Sequence, residues 1–123
     1  MTTQGREAFE ADLRGLGLQP DARTDGRTMF PFVVPVGRFA DEPVHLGFDV
    51  PPDWPTTPPS GPHVSPRLAQ TQGASPGGTN QNVHGSNFGS DFEYWSRPYP
   101  AWGRDGRSVD AYLAFLRKLF AEA

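Results

Sequence analysis

The 123-residue sequence contains no cysteine. This excludes disulfides, thiolate nucleophiles and zinc held on sulfur. Its three histidines are His45, His63 and His84, and no pair has an HExxH or HxH spacing. Those are the patterns that aim two imidazoles at one metal, so neither a metal nor a cofactor is expected. P-loop, GxGxxG and GxSxG patterns are also missing. There is no basic run, and 11 Lys and Arg against 14 Asp and Glu leave a formal charge of -3. An acidic chain is a poor match for nucleic acid or an anionic membrane surface. No apolar run approaches the length of a membrane span. The opening residues MTTQGREAFEADLRG lack the apolar core of a signal peptide. The expectation is a soluble cytoplasmic protein with no nucleic-acid or membrane partner.

What is present suits one domain over 1–123. The chain is 36% hydrophobic and 12% aromatic, with nine Phe and three Trp to fill a modest core. Phe9, Leu13 and Leu16 share one face of a helix expected over Arg6–Arg14, and Gly15 and Gly17 stop it. Thr28–Val36 is β-like, with Pro31 and Pro35 marking an edge or bulged strand. Val44, Leu46, Phe48 and Val50 alternate with His45, Gly47 and Asp49. That period of two predicts a strand with one buried face and His45 toward solvent. Arg38–Pro43 connects the two strands, and a short strand near Gln19–Thr24 would extend the meander. Ser108 caps a last helix whose apolar stripe is Val109, Tyr112, Leu113, Leu116, Leu119 and Phe120. Between sheet and helix, Pro51–Gly106 shows little periodicity. Gly73–Asn82 belongs to a flexible loop expected near 69–87. Yet this part also holds Trp54, Phe88, Phe92, Tyr94, Trp95, Tyr99 and Trp102. Disordered linkers are poor in aromatics, so the region is expected to be ordered coil. The fold class is α+β, with helices against one antiparallel sheet.

The stretch PPDWPTTPP follows the alternating strand directly, and its prolines fix φ without needing hydrogen bonds. Pro51 or Pro52, then Trp54, Pro55, Pro58 and Pro59, match in order a Pro-x-x-Tyr-Pro-x-x-Pro-Pro loop, with Trp for Tyr. Downstream stand Trp95-Ser96-Arg97, Trp102 and Asp110-Ala111-Tyr112-Leu113. Together these resemble the ubiquitin-conjugating enzyme fold, and in particular its bacterial branch, over roughly residues 6–120. The resemblance implies a helix, a meander, the proline loop and a following helix. It also implies a partner, a ubiquitin-like protein or another conjugation-pathway protein. Trp54, Pro58, Pro59, His63, Trp95, Arg97 and Trp102 are the candidate partner-binding residues.

The family's transfer chemistry is not carried over. Its His-Pro-Asn survives only as Asn82, in Asn80-Gln81-Asn82-Val83-His84. Counting forward from Asn82 puts the nucleophile position at Ser90, and counting back from Trp95 puts it at Asn87. Neither is cysteine, and a serine hydroxyl needs an adjacent base. His84 is the candidate base, and no catalytic residue is expected beyond Asn82, His84, Asn87 and Ser90 as candidates. A non-catalytic binding module is therefore the leading expectation. The alternatives are a small hydrolase or metal-binding enzyme using His63, His84, Asp91 and Glu93, and a structural subunit without a ligand.

Overall fold

The computed structural model describes residues 4–21, 25–68 and 83–123. Its elements are α1 (Gly5–Gly15), β1 (Thr28–Val33), β2 (Pro43–Phe48), β3 (His63–Ser65), β4 (Val83–Gly85), β5 (Glu93–Trp95) and α2 (Val109–Ala121). The strands form one antiparallel sheet in the order β1-β2-β3-β5-β4. The α+β class expected from the sequence is present.

The alternating segment behaves as its period requires. Val44, Leu46 and Phe48 are buried, and His45 is exposed. Phe9 of α1 and Tyr112 of α2 both meet the Phe48 ring edge-on, at 5.6 and 5.7 Å between centroids. Both helices therefore cover the same face of the sheet. Leu13, Leu116 and Phe120 are buried in that core, and Leu113 packs at its margin. Leu16 does not join the stripe: it lies at the C-cap of α1 and is largely exposed. The Ser108 hydroxyl caps α2 by accepting from the Ala111 N–H.

Three readings are corrected. Residues 19–21 are not a strand, although the Asp21 N–H donates to the Met29 carbonyl at 2.6 Å; residues 22–24 lie outside the described part. Pro51–Gly106 is not all coil, because β3, β4 and β5 fall within it. Each has only three residues, too few for a period of two to register. Of the loop expected near 69–87, residues 69–82 lie outside the described residues, and Val83–Gly85 is β4.

The proline-rich stretch is a shaped loop. Prolines bring carbonyls without N–H groups, so each buried carbonyl needs a donor from elsewhere. The Trp54 carbonyl accepts from the Gly5 N–H at 3.0 Å, and the Ser60 carbonyl from the Arg97 N–H at 2.8 Å. The Pro55 carbonyl accepts from the Trp102 indole at 2.9 Å, and the Pro59 carbonyl from the Tyr112 hydroxyl at 3.3 Å. Gly5 can sit here because its φ is +73° and a Cβ would lie 3.1 Å from the Pro52 carbonyl oxygen.

Trp54 is completely buried. Its ring meets Phe9 at 4.7 Å, Trp102 at 5.3 Å and Tyr112 at 6.2 Å. Its indole N–H reaches the Asp12 carboxylate at 3.3 Å. Replacement of Trp54 by Ala is expected to cost about 3–5 kcal/mol of stability, the range for removing a large buried aromatic. Urea denaturation measures it, and a midpoint close to wild type would show that the loop does not hold the fold.

Candidate functional site

The face of the sheet opposite the helices carries His63 and its neighbours. Strand pairing sets Met29, Gly47, His63, Tyr94 and His84 in one transverse row. Gly47 has no side chain, and the Phe88 ring lies in that space. A Cβ on Gly47 would come within 2.5 Å of Phe88 Cε2. Phe88 thereby reaches His63, at 4.4 Å between centroids, while Tyr94 stacks on the imidazole at 4.4 Å and 17°.

His63 is 5% exposed. Its Nδ1 lies 2.7 Å from Ser86 Oγ, and its Nε2 lies 3.7 Å from an Asp49 carboxylate oxygen. The Phe88 N–H donates to Ser86 Oγ at 3.0 Å. That fixes the hydroxyl oxygen beside Nδ1, and the proton of the Ser86–His63 bond sits on the serine or on the ring according to the tautomer. Arg27 closes the cluster. Its guanidinium pairs with Asp49 at 3.2 Å, donates to the Asn87 carbonyl at 2.9 Å and lies 5.1 Å over the Phe88 ring.

Burial lowers the His63 pKa to about 4; Asp49 opposes that shift and Arg27 adds to it. Asp49 is itself largely in water, so its opposing pull is screened. The imidazole is consequently neutral near pH 7. A general base works best with a pKa near the operating pH. Ser86, His63 and Asp49 are in line for proton transfer from the serine, but the imidazole is a weak base for it.

The candidate residues fall into different places. His84 is exposed on β4, 6.2 Å from the Tyr94 ring, so the two histidines flank one tyrosine. Asn87 and Ser90 are exposed in the β4–β5 connection, and Asn82 lies outside the described residues. Asp91 accepts from the Ser65 hydroxyl at 3.4 Å. Glu93 points the other way, fully buried, and accepts from the Trp95 indole at 2.7 Å. The carboxylates expected beside the histidines therefore do not converge on them. Among the described residues no group of His, Asp and Glu could hold a metal ion.

The partner-binding candidates differ little in exposure. Trp54, Pro59, His63, Trp95, Arg97 and Trp102 are all buried, and only Pro58 is partly open. Aromatics beside rigid turns serve here as packing anchors. Sequence reasoning missed Ser86, Asp49 and Arg27. The alternation did place Asp49 on the same strand face as Gly47, but nothing in it brought residues 86–88 across the sheet.

Comparisons with protein families, with curated proteins and with solved structures give no match.

The fold favours neutral His63, so this contribution is complete above the unfolded pKa of about 6.5 and is lost as pH falls toward about 4. Protonation is expected to remove at most about 3 kcal/mol. Denaturation midpoints of wild type and His63→Gln across that window test this. The two should converge as pH falls, and parallel profiles would show that His63 does not titrate with unfolding.

Proposed function

We propose that this chain is a non-catalytic binding module with a ubiquitin-conjugating-like build, whose partner is a ubiquitin-like protein or another protein of a conjugation pathway. One observation carries the non-catalytic half: no nucleophile is paired with a competent base. Cysteine is absent from the whole sequence. Ser90 is exposed, with no imidazole against it among the described residues. The serine that does touch an imidazole, Ser86, touches one held neutral to about pH 4. The partner half is supported by the order of helix, meander, shaped proline loop and helix, together with the proline and Trp-Ser-Arg motifs.

The experiment is a charging assay with an activated ubiquitin-like protein, read by intact mass. No adduct is expected, neither a thioester nor an ester at Ser90. Saturable binding of the same ubiquitin-like protein by calorimetry is expected beside it. A reductant-resistant adduct that vanishes in Ser90→Ala, or no binding at all, would overturn the reading.

The Ser86–His63–Asp49 line favours a second reading, a small acyl hydrolase. Ser86 Oγ would bond to the acyl carbon of an ester as its proton passes to His63 Nδ1 and on to the departing alkoxide; water would then release the acid. p-Nitrophenyl acetate distinguishes the two readings. A burst of nitrophenolate lost in Ser86→Ala supports the hydrolase, and equal rates in wild type and variant exclude it.

A further inference from the structure

A groove of about 410 Å³ opens between α2 and the segment that precedes it, far along the chain from the His63 cluster. Ala114, Phe115 and Lys118 form the helix wall, and Tyr99, Ala101 and Arg104 form the other. Ala114, an exposed helix position on the lining, carries only a methyl group. The floor of the groove is aromatic: Tyr99 and Phe115 stack at 4.6 Å and 22°, and both are only partly buried.

The second wall is held in place. Trp102 is buried, and its indole bonds the Pro55 carbonyl. The Asp105 N–H donates to the Ala101 carbonyl at 2.9 Å. Asp105 is the acidic group on the lining, and its carboxylate is already engaged. It accepts from the Tyr99 hydroxyl at 2.5 Å and lies 3.5 Å from Arg104. Lys118, the only lysine in the sequence, has no ion pair among the described residues. A chain of net charge -3 thus presents here an apolar trough with a cationic rim.

From this pairing of shape and charge we infer that the groove binds a short acidic peptide segment, with an apolar or aromatic side chain on the Tyr99–Phe115 floor and a neighbouring carboxylate on Lys118 and Arg104. The inference does not depend on the ubiquitin-conjugating resemblance. The volume suits two or three residues. The charge contacts are solvent-exposed and so individually weak, which places the dissociation constant at about 0.1–1 mM.

The test uses the full chain with Lys118 dimethylated by carbon-13 formaldehyde and a cyanoborohydride reductant, a change that keeps its charge. Acetyl-Asp-Phe-Asp-amide is the probe, with acetyl-Lys-Phe-Lys-amide and acetyl-Asp-Gly-Asp-amide as controls. The Lys118 methyl signal is expected to shift saturably with the first peptide, and at least about fivefold more weakly with either control. Ala114→Leu fills the groove at an exposed position and is expected to abolish the shift in the backbone amides of residues 99 and 101–105 without changing the melting temperature. Lys118→Glu, followed by the same amides, is expected to weaken binding about fivefold. Equal binding of the basic peptide overturns the inference, as does an unchanged response in Ala114→Leu. No saturable shift with any peptide at concentrations of about 5 mM overturns it as well.

Discussion

The burial of one indole, Trp54, is the constraint on which the rest of the structure depends. Two helices distant in sequence and the segment ahead of α2 each present a ring to it. A loop rich in proline cannot enter a ladder, so it must be fixed from outside. Here the side chains that pack on Trp54 also satisfy the loop. Trp102 and Tyr112 each place a ring against the indole and a polar tip on a loop carbonyl. This division of an aromatic side chain into an apolar body and a polar end explains how the Pro55 and Pro59 carbonyls find donors.

The two faces of β2 have different neighbours. One face of β2 meets Phe9 and Tyr112 through Phe48. The other face holds Gly47, whose missing side chain admits Phe88 and so encloses His63. The same enclosure that orders Ser86 and the β4–β5 connection makes the imidazole a reluctant proton acceptor. Order and basicity are set against each other in one residue, and order prevails.

What could be read from the sequence was what repeats. Val44 to Phe48 alternates, α2 has an apolar stripe with a serine cap, and both stand where the pattern puts them. The rest depends on register. Three-residue strands carry no period, so nothing along the chain announces that His63 lies beside Gly47 and Tyr94. The tryptophans depend on the fold for a related reason. Type and neighbours identify them as anchors, but only the fold says whether an anchor faces inward or toward a partner. Trp54, Trp95 and Trp102 all face inward.

The hydrogen bonds that secure the proline loop also set an order of events. They join residues 42, 47 and 53 positions apart in the chain. Contacts of such separation must close long loops before they stabilise anything, which slows folding. Two of the three rings around Trp54 come from Trp102 and Tyr112. Until the ribosome has released those residues, the β1–β2 hairpin can form from local contacts alone, while the indole stays in water. The core of this protein is therefore completed from its C-terminal side, and a chain interrupted before α2 would display the Trp54 indole instead of hiding it.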